Sequence, residues 1–118
     1  MTRPALLTII LLHLLIACSP NTDDMVNTYV VGIVNPVVMR EPVVEAFIEG
    51  MHERGYREGD TIRYMYDGAI IDPDERAAWV AELVAAEVDL IIAIATPGAI
   101  DAKAGTDTIP IVFFPVTD

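Results

Sequence analysis

The residues best placed to do chemistry are Thr96, Pro97 and Gly98, which follow directly on the apolar run 90–95, LIIAIA. A hydroxyl ahead of a proline marks a helix start: threonine caps free amides, and proline suits the first helical position. A strand that feeds such a start points unpaired N–H groups and the positive end of a helix dipole at whatever lies beyond it. That arrangement suits a carboxylate or another small anion. Thr96 can equally serve only as the cap of its own helix, so both roles stay open. In open α/β sheets ligands sit beyond the carboxyl ends of the strands, where the strand order reverses. On that rule Thr96, Pro97 and Gly98 share an edge with Asn35, which follows the first strand, and with Thr117 and Asp118, which follow the last. These six residues are the candidate ligand-binding set.

Other chemistries find little support. Cys18 is the single cysteine, which excludes an internal disulfide and a cysteine-built metal site. His13 and His52 are too few and too far apart to suggest zinc, so no metal and no cofactor is expected. Neither a Walker loop nor G-x-G-x-x-G follows a strand, and no serine sits in a G-x-S-x-G elbow. A phosphoacceptor receiver would need acids after the first strand, where Asn35 and Pro36 stand instead. The formal charge of −11 argues against nucleic acid or an anionic membrane surface as partner.

The elements that position the candidate set alternate regularly. Residues 29–34, YVVGIV, form a strand of high β propensity. A helix runs from Pro42 to about Arg54, with Val43, Val44, Phe47, Ile48 and Met51 on one face and Glu45, Glu49, His52 and Glu53 on the other. Gly55 then serves as a left-handed cap, with Tyr56 packing back on the last turn. Residues 61–66 alternate partly, as an edge strand does. Asp72, Pro73 and Glu75 give a capping box and a helix to about Glu87, burying Ala78, Trp79, Leu83, Val84 and Ala86. The run at 90–95 lacks alternation and fits a strand buried on both faces. A short helix at 97–104 and an apolar strand at 109–116 complete the order β-α-β-α-β-α-β. This is the pattern of an α/β fold with a doubly wound parallel sheet, expected in the order 2-1-3-4.

Residues 1–17 stand apart from that fold. Arg3 gives a positive start, and residues 5–17 are nearly all apolar. As a helix this segment reaches roughly 20 Å, short of the roughly 30 Å needed to cross a bilayer, so it reads as an export signal. Leu15, Ala17 and Cys18 resemble the lipoprotein box of bacteria, in which the thiol is lipidated; an ordinary signal cut near Ala17 is the other reading. Residues 18–27 form a polar tether, and 28–118 form the folded part. The apolar last strand has nothing after it to cover it, leaving Ile111 and Phe113 on an open edge. Either the chain continues or it pairs with another copy; we expect continuation, with 28–118 a partial N-terminal lobe.

The motifs then fall into a recognisable series. Phe47, Gly50 and Met51, followed by Gly55, Tyr56, Glu58 and Gly59, resemble the F-x-x-G-L…G-Y-x-E-G signature of the ABC-transporter substrate-binding proteins of the tryptophan/tyrosine-binding type. Residues 88–92, Thr96 and Pro97, and residues 109–113 with Asp118 are similar in the same order. Gly98 stands where alanine is usual in that family, and Val37, Val38 and Met39 where smaller or polar residues are commoner. The resemblance implies the first lobe of a type I periplasmic binding protein, with Thr96 and Asp118 at the family's ligand positions. It further implies an extracytoplasmic, lipid-anchored solute-binding component of an ABC importer. Such a component takes an amino acid or similar small ligand in a cleft between two lobes, works with permease subunits and performs no catalysis. A ligand-sensing lipoprotein that signals to a membrane receptor, or an exported enzyme whose catalytic part lies elsewhere, are the other classes open at this point.

Overall fold

The computed structural model describes residues 27–114. The expected signal segment, Cys18, most of the expected tether, Thr117 and Asp118 lie outside the described residues. The elements are β1 (Tyr29–Val34), a single 3-10 turn at Val38–Arg40, α1 (Glu41–Glu53), β2 (Ile62–Met65), α2 (Pro73–Ala85), β3 (Leu90–Ile94), α3 (Ala95–Gly105) and β4 (Ile111–Phe114). All strands are parallel, in the order β2-β1-β3-β4. The expected topology is therefore the one observed.

Side-chain alternation along the two central strands builds a core on each face of the sheet. Val31, Ile33, Ile92 and Ile94 point to one side and meet Val44 of α1, with Val43, Phe47, Ile48 and Met51 around it. Val34, Ile91 and Ala93 point to the other, against Val80 and Leu83 of α2 and Ala102 of α3. A strand with both faces covered has no wet side on which to place polar residues, which is why residues 90–95 show no alternation.

Local signals explain most boundaries. The amide of Gly55 donates to His52 O and that of Tyr56 to Met51 O, both at 3.0 Å, while Gly55 takes φ +93°. That is a Schellman motif, in which the left-handed residue is one that lacks a Cβ. The Tyr56 ring then meets Tyr29 edge-on at 6.3 Å. At the start of α2, Asp72 Oδ1 accepts from the amides of Asp74 and Glu75, each at 2.9 Å. The return bond from the Glu75 carboxylate that would close the box is absent among the described residues.

Three expectations are corrected. The buried stripe of α2 is Arg76, Val80 and Leu83, with Trp79 and Val84 half-buried, while Ala78 and Ala86 are exposed. The helix stops at Ala85 because Glu87 turns left-handed at φ 52°, letting Val88 donate back to Leu83 O. The ladder of β4 begins at Ile111 rather than residue 109. Thr106 Oγ1 accepts from the amides of Thr108 and Ile109, and Pro110 has no amide to give. Val112 and Phe113 on that outer strand are exposed, at 47% and 60%.

Candidate functional site

The carboxyl ends of β1, β2 and β3 meet on one edge, with the order reversal between β1 and β3. Asn35, the residue after β1, is 1% exposed. A buried primary amide must be hydrogen-bonded or it destabilises the fold. Here Asn35 Oδ1 accepts from the Val37 amide at 3.0 Å, turning the chain into the 3-10 segment. Its Nδ2 donates to the Tyr66 hydroxyl at 3.1 Å and, more loosely, to Glu41 Oε1 at 3.4 Å. The backbone carbonyl of Asn35 accepts from Ile70 at 2.8 Å, tying in the loop that follows β2. Asn35 thus ties down its own loop and the neighbouring one.

Tyr66 and Glu41 complete a compact polar group. The Tyr66 hydroxyl lies 2.7 Å from Glu41 Oε1 and 2.8 Å from Oε2. Burial, opposed by the Asn35 amide and reinforced by the Glu41 carboxylate, pushes the Tyr66 phenol up to about 12. The phenol therefore stays protonated at neutral pH and donates to the carboxylate. Neither residue belongs to the set expected from sequence. The usable signal was positional: Glu41 opens the helix after β1 and Tyr66 follows the last residue of β2, so both fall on the carboxyl edge.

The other wall is the β3–α3 junction, where the structure departs from the expected threonine cap. The helix starts at Ala95, two residues before Pro97. Its cap position is Ile94, and no side chain caps it. Ala95 is 4% exposed and takes φ 62°, in the left-handed region where a Cβ costs roughly 1–2 kcal/mol. Strain of this kind persists only where the surroundings over-determine it, and it clusters at ligand sites. Thr96 and Pro97 lie in the first turn and are exposed. Among the described residues no group bonds the Thr96 hydroxyl, so it is free to face outward. Gly98 is buried: a Cβ there would sit 3.1 Å from Val34 O and 3.4 Å from Pro36 Cδ. The close approach of α3 to the end of β1 thus favours the glycine, and it brings Gly98 beside the Asn35 loop as expected.

A third group stabilises the loop between β2 and α2. Arg76 is buried, its Nε donating to Asp101 Oδ2 at 2.6 Å and its Nη1 to the carbonyls of Ile71 at 2.6 Å and Ile70 at 3.2 Å. One guanidinium thereby joins α2, α3 and the loop, a use of its planar donor fork that sequence reasoning missed. Among the described residues no group of three or more His, Cys, Asp or Glu side chains could hold a metal ion, and no helix is long and apolar enough to cross a membrane.

Residues 30–118 match the model of a family described as ABC transporter substrate binding protein. The chain belongs to that family. A curated relative is a tyrosine-binding protein of Clostridioides difficile (strain R20291), 35% identical over 74 residues that make up 63% of the chain. The chain spans about a fifth (21%) of that relative's length. Among solved structures, a ligand-free, open substrate binding protein with adhesive properties from Clostridium difficile aligns over 74% of the chain and 30% of its own length. Its TM-score is 0.64 and its identity 22%. A conserved domain protein from Vibrio cholerae aligns over 75% of the chain and 30% of its own, with TM-score 0.64 and 26% identity. The fold is thus shared with proteins of very different sequence.

Proposed function

We propose that the protein is the solute-binding component of an ABC importer, with no catalysis of its own, and that the described lobe supplies one wall of a cleft for a small ligand such as an amino acid. Family membership and the tyrosine-binding relative support a binding role. On this reading the protein is extracytoplasmic, held at the membrane by lipid on Cys18, and lobe closure on ligand presents a surface to permease subunits. The observation that carries the reading is the meeting of two strand ends at the order reversal. There Gly98 approaches Val34 and Pro36 closely, with a buried Asn35 on one side and the uncapped, strained start of α3 on the other. First-turn amides and the Thr96 hydroxyl would receive a ligand carboxylate in that arrangement, and Thr117 and Asp118, outside the described residues, complete the proposed set.

The test is a titration of the isotope-labelled full chain with tyrosine, tryptophan and smaller amino acids, read by amide chemical shifts, which detect weak binding. Saturable shifts clustered at residues 35–37 and 96–99 are expected, weakened about tenfold or less by Thr96→Val. Shifts confined to other surfaces, or none up to the solubility limit, overturn the proposal.

A further inference from the structure

We propose that the cavity between α1 and the edge strand β2 is a docking site for a basic, extended segment of a partner protein. Arginine or lysine side chains of that segment pair with Glu45, Glu49 and Glu58, while one of its backbone carbonyls accepts from Tyr64. The site lies across the sheet from β4, and it neither uses nor depends on the ligand edge described above. Its cavity measures about 400 Å³, with Ile48, Tyr56 and Tyr64 supplying apolar wall and the three glutamates supplying charge. Glu45 and Glu49 stand one helical turn apart on α1, and Glu58 follows the turn at Gly55. The ion pairs among the described residues are Arg76 with Asp101 and Lys103 with Asp107, and none of the three glutamates takes part in them. Nearby arginines do not fill that place. Arg54 Nη1 donates to the Gly50 carbonyl at 2.7 Å, and strand alternation sets Arg63 on the opposite face of β2 from Tyr64.

Exposed glutamates alone would make an ordinary solvated helix face. Tyr64 distinguishes this one. Its Oη is the one buried side-chain polar atom among the described residues that has no hydrogen-bond partner. A buried hydroxyl left unpaired destabilises a fold, so its presence calls for a reason. Packing does not supply one: the ring meets Phe47 edge-on at 6.2 Å, a contact that a phenylalanine would make equally well. Burial, with the Glu58 carboxylate beside it, pushes the phenol up, so at neutral pH it keeps a proton to donate. What is missing is therefore an acceptor, next to carboxylates that lack cations. A polyamine supplies cations only, whereas a peptide with basic side chains supplies both. The apolar stems of arginine and lysine also suit a wall of Ile48, Tyr56 and Tyr64. Glu45, Glu49, Tyr56 and Glu58 are exposed, and the fast rotamer changes of such side chains open the hydroxyl to an occupant.

The experiment titrates the isotope-labelled full chain at low salt with an acetylated, amidated pentapeptide of alternating glycine and arginine. Two controls are the same peptide carrying citrulline, the uncharged isostere of arginine, and spermidine. The arginine peptide is expected to give saturable amide shifts at residues 45–49, 56–58 and 64, weakening as salt is raised. The citrulline peptide and spermidine should each bind at least about fivefold more weakly. Glu45→Gln combined with Glu49→Gln should weaken the arginine peptide about fivefold. Tyr64→Phe should weaken it to a similar degree, while leaving the denaturation midpoint of the free chain unchanged or raised. Equal binding of the citrulline peptide, or no shifts at these residues, overturns the site. Spermidine binding as tightly as the arginine peptide, or undiminished peptide binding by Tyr64→Phe, overturns the carbonyl contact and with it the peptide assignment. A lowered midpoint in Tyr64→Phe means that the hydroxyl is already bonded within the protein, and it overturns the proposal too. Amino-acid binding at residues 35–37 and 96–99 is read separately, so the two readings fail independently.

Discussion

Two helix starts in this lobe look alike in sequence and differ in structure. At α2, Asp72 precedes Pro73 and caps the helix through two 2.9 Å bonds to the amides of Asp74 and Glu75. At α3, Thr96 precedes Pro97 in the same way, yet the helix begins one residue before the threonine and has no side-chain cap. The start of α2 lies on the surface, where nothing competes with the local preference of the chain. The start of α3 is set by its neighbours: Ala95 sits in a core cluster and Gly98 lies against the end of β1. Local capping chemistry wins where packing is indifferent and loses where packing is tight. What it leaves behind at α3 is an exposed hydroxyl and unclaimed donors, which is what a binding edge needs.

The largest test of this contrast is Ala95→Val. A β-branched residue at φ 62° combines left-handed strain with extra volume in a closed core, and a loss of about 3 kcal/mol is expected by denaturant unfolding. A neutral result would show that the junction is not over-determined. Asp72→Ala should come next, at about 1 kcal/mol, the usual value of a side-chain cap. Thr96→Ala should be smallest, within about 0.5 kcal/mol in thermal or chemical unfolding, because the hydroxyl caps nothing. Equal losses at Asp72 and Thr96 would erase the contrast, and a much larger loss at Asp72 than at Thr96 would sharpen it.

The same distinction separates what was legible in the sequence from what was not. The alternation of strands and helices, the order 2-1-3-4, the cap of α2 and the turn at Gly55 all follow from local patterns that tertiary contacts merely reinforce. The buried face of α2 was misread by a register shift, because Ala78 and Ala86 are apolar without being needed, while Arg76 is buried through three polar contacts. In the site, Asn35 and Gly98 were found by the switch-point rule and do come together. Glu41 and Tyr66 were passed over, since a lone acid at a helix start and a tyrosine at a strand end carry no motif.

By itself, then, the sequence determined the fold class and the sheet edge on which Asn35 and Gly98 come together. Hydrophobic periodicity and turn chemistry act over a few residues, and parallel connections of this kind allow few topologies. Only the tertiary structure decided how the junction at residues 94–98 is built and which polar groups flank it. Residues 35, 41 and 66 are separated by up to 31 positions, and their hydrogen bonds exist only because β1 and β2 lie side by side. In sequence, a threonine before a proline is compatible with a helix cap and with a ligand contact alike. The packing of Gly98 and Ala95 against β1 and the core moved the helix start ahead of the threonine and left Thr96 exposed, without a capping role.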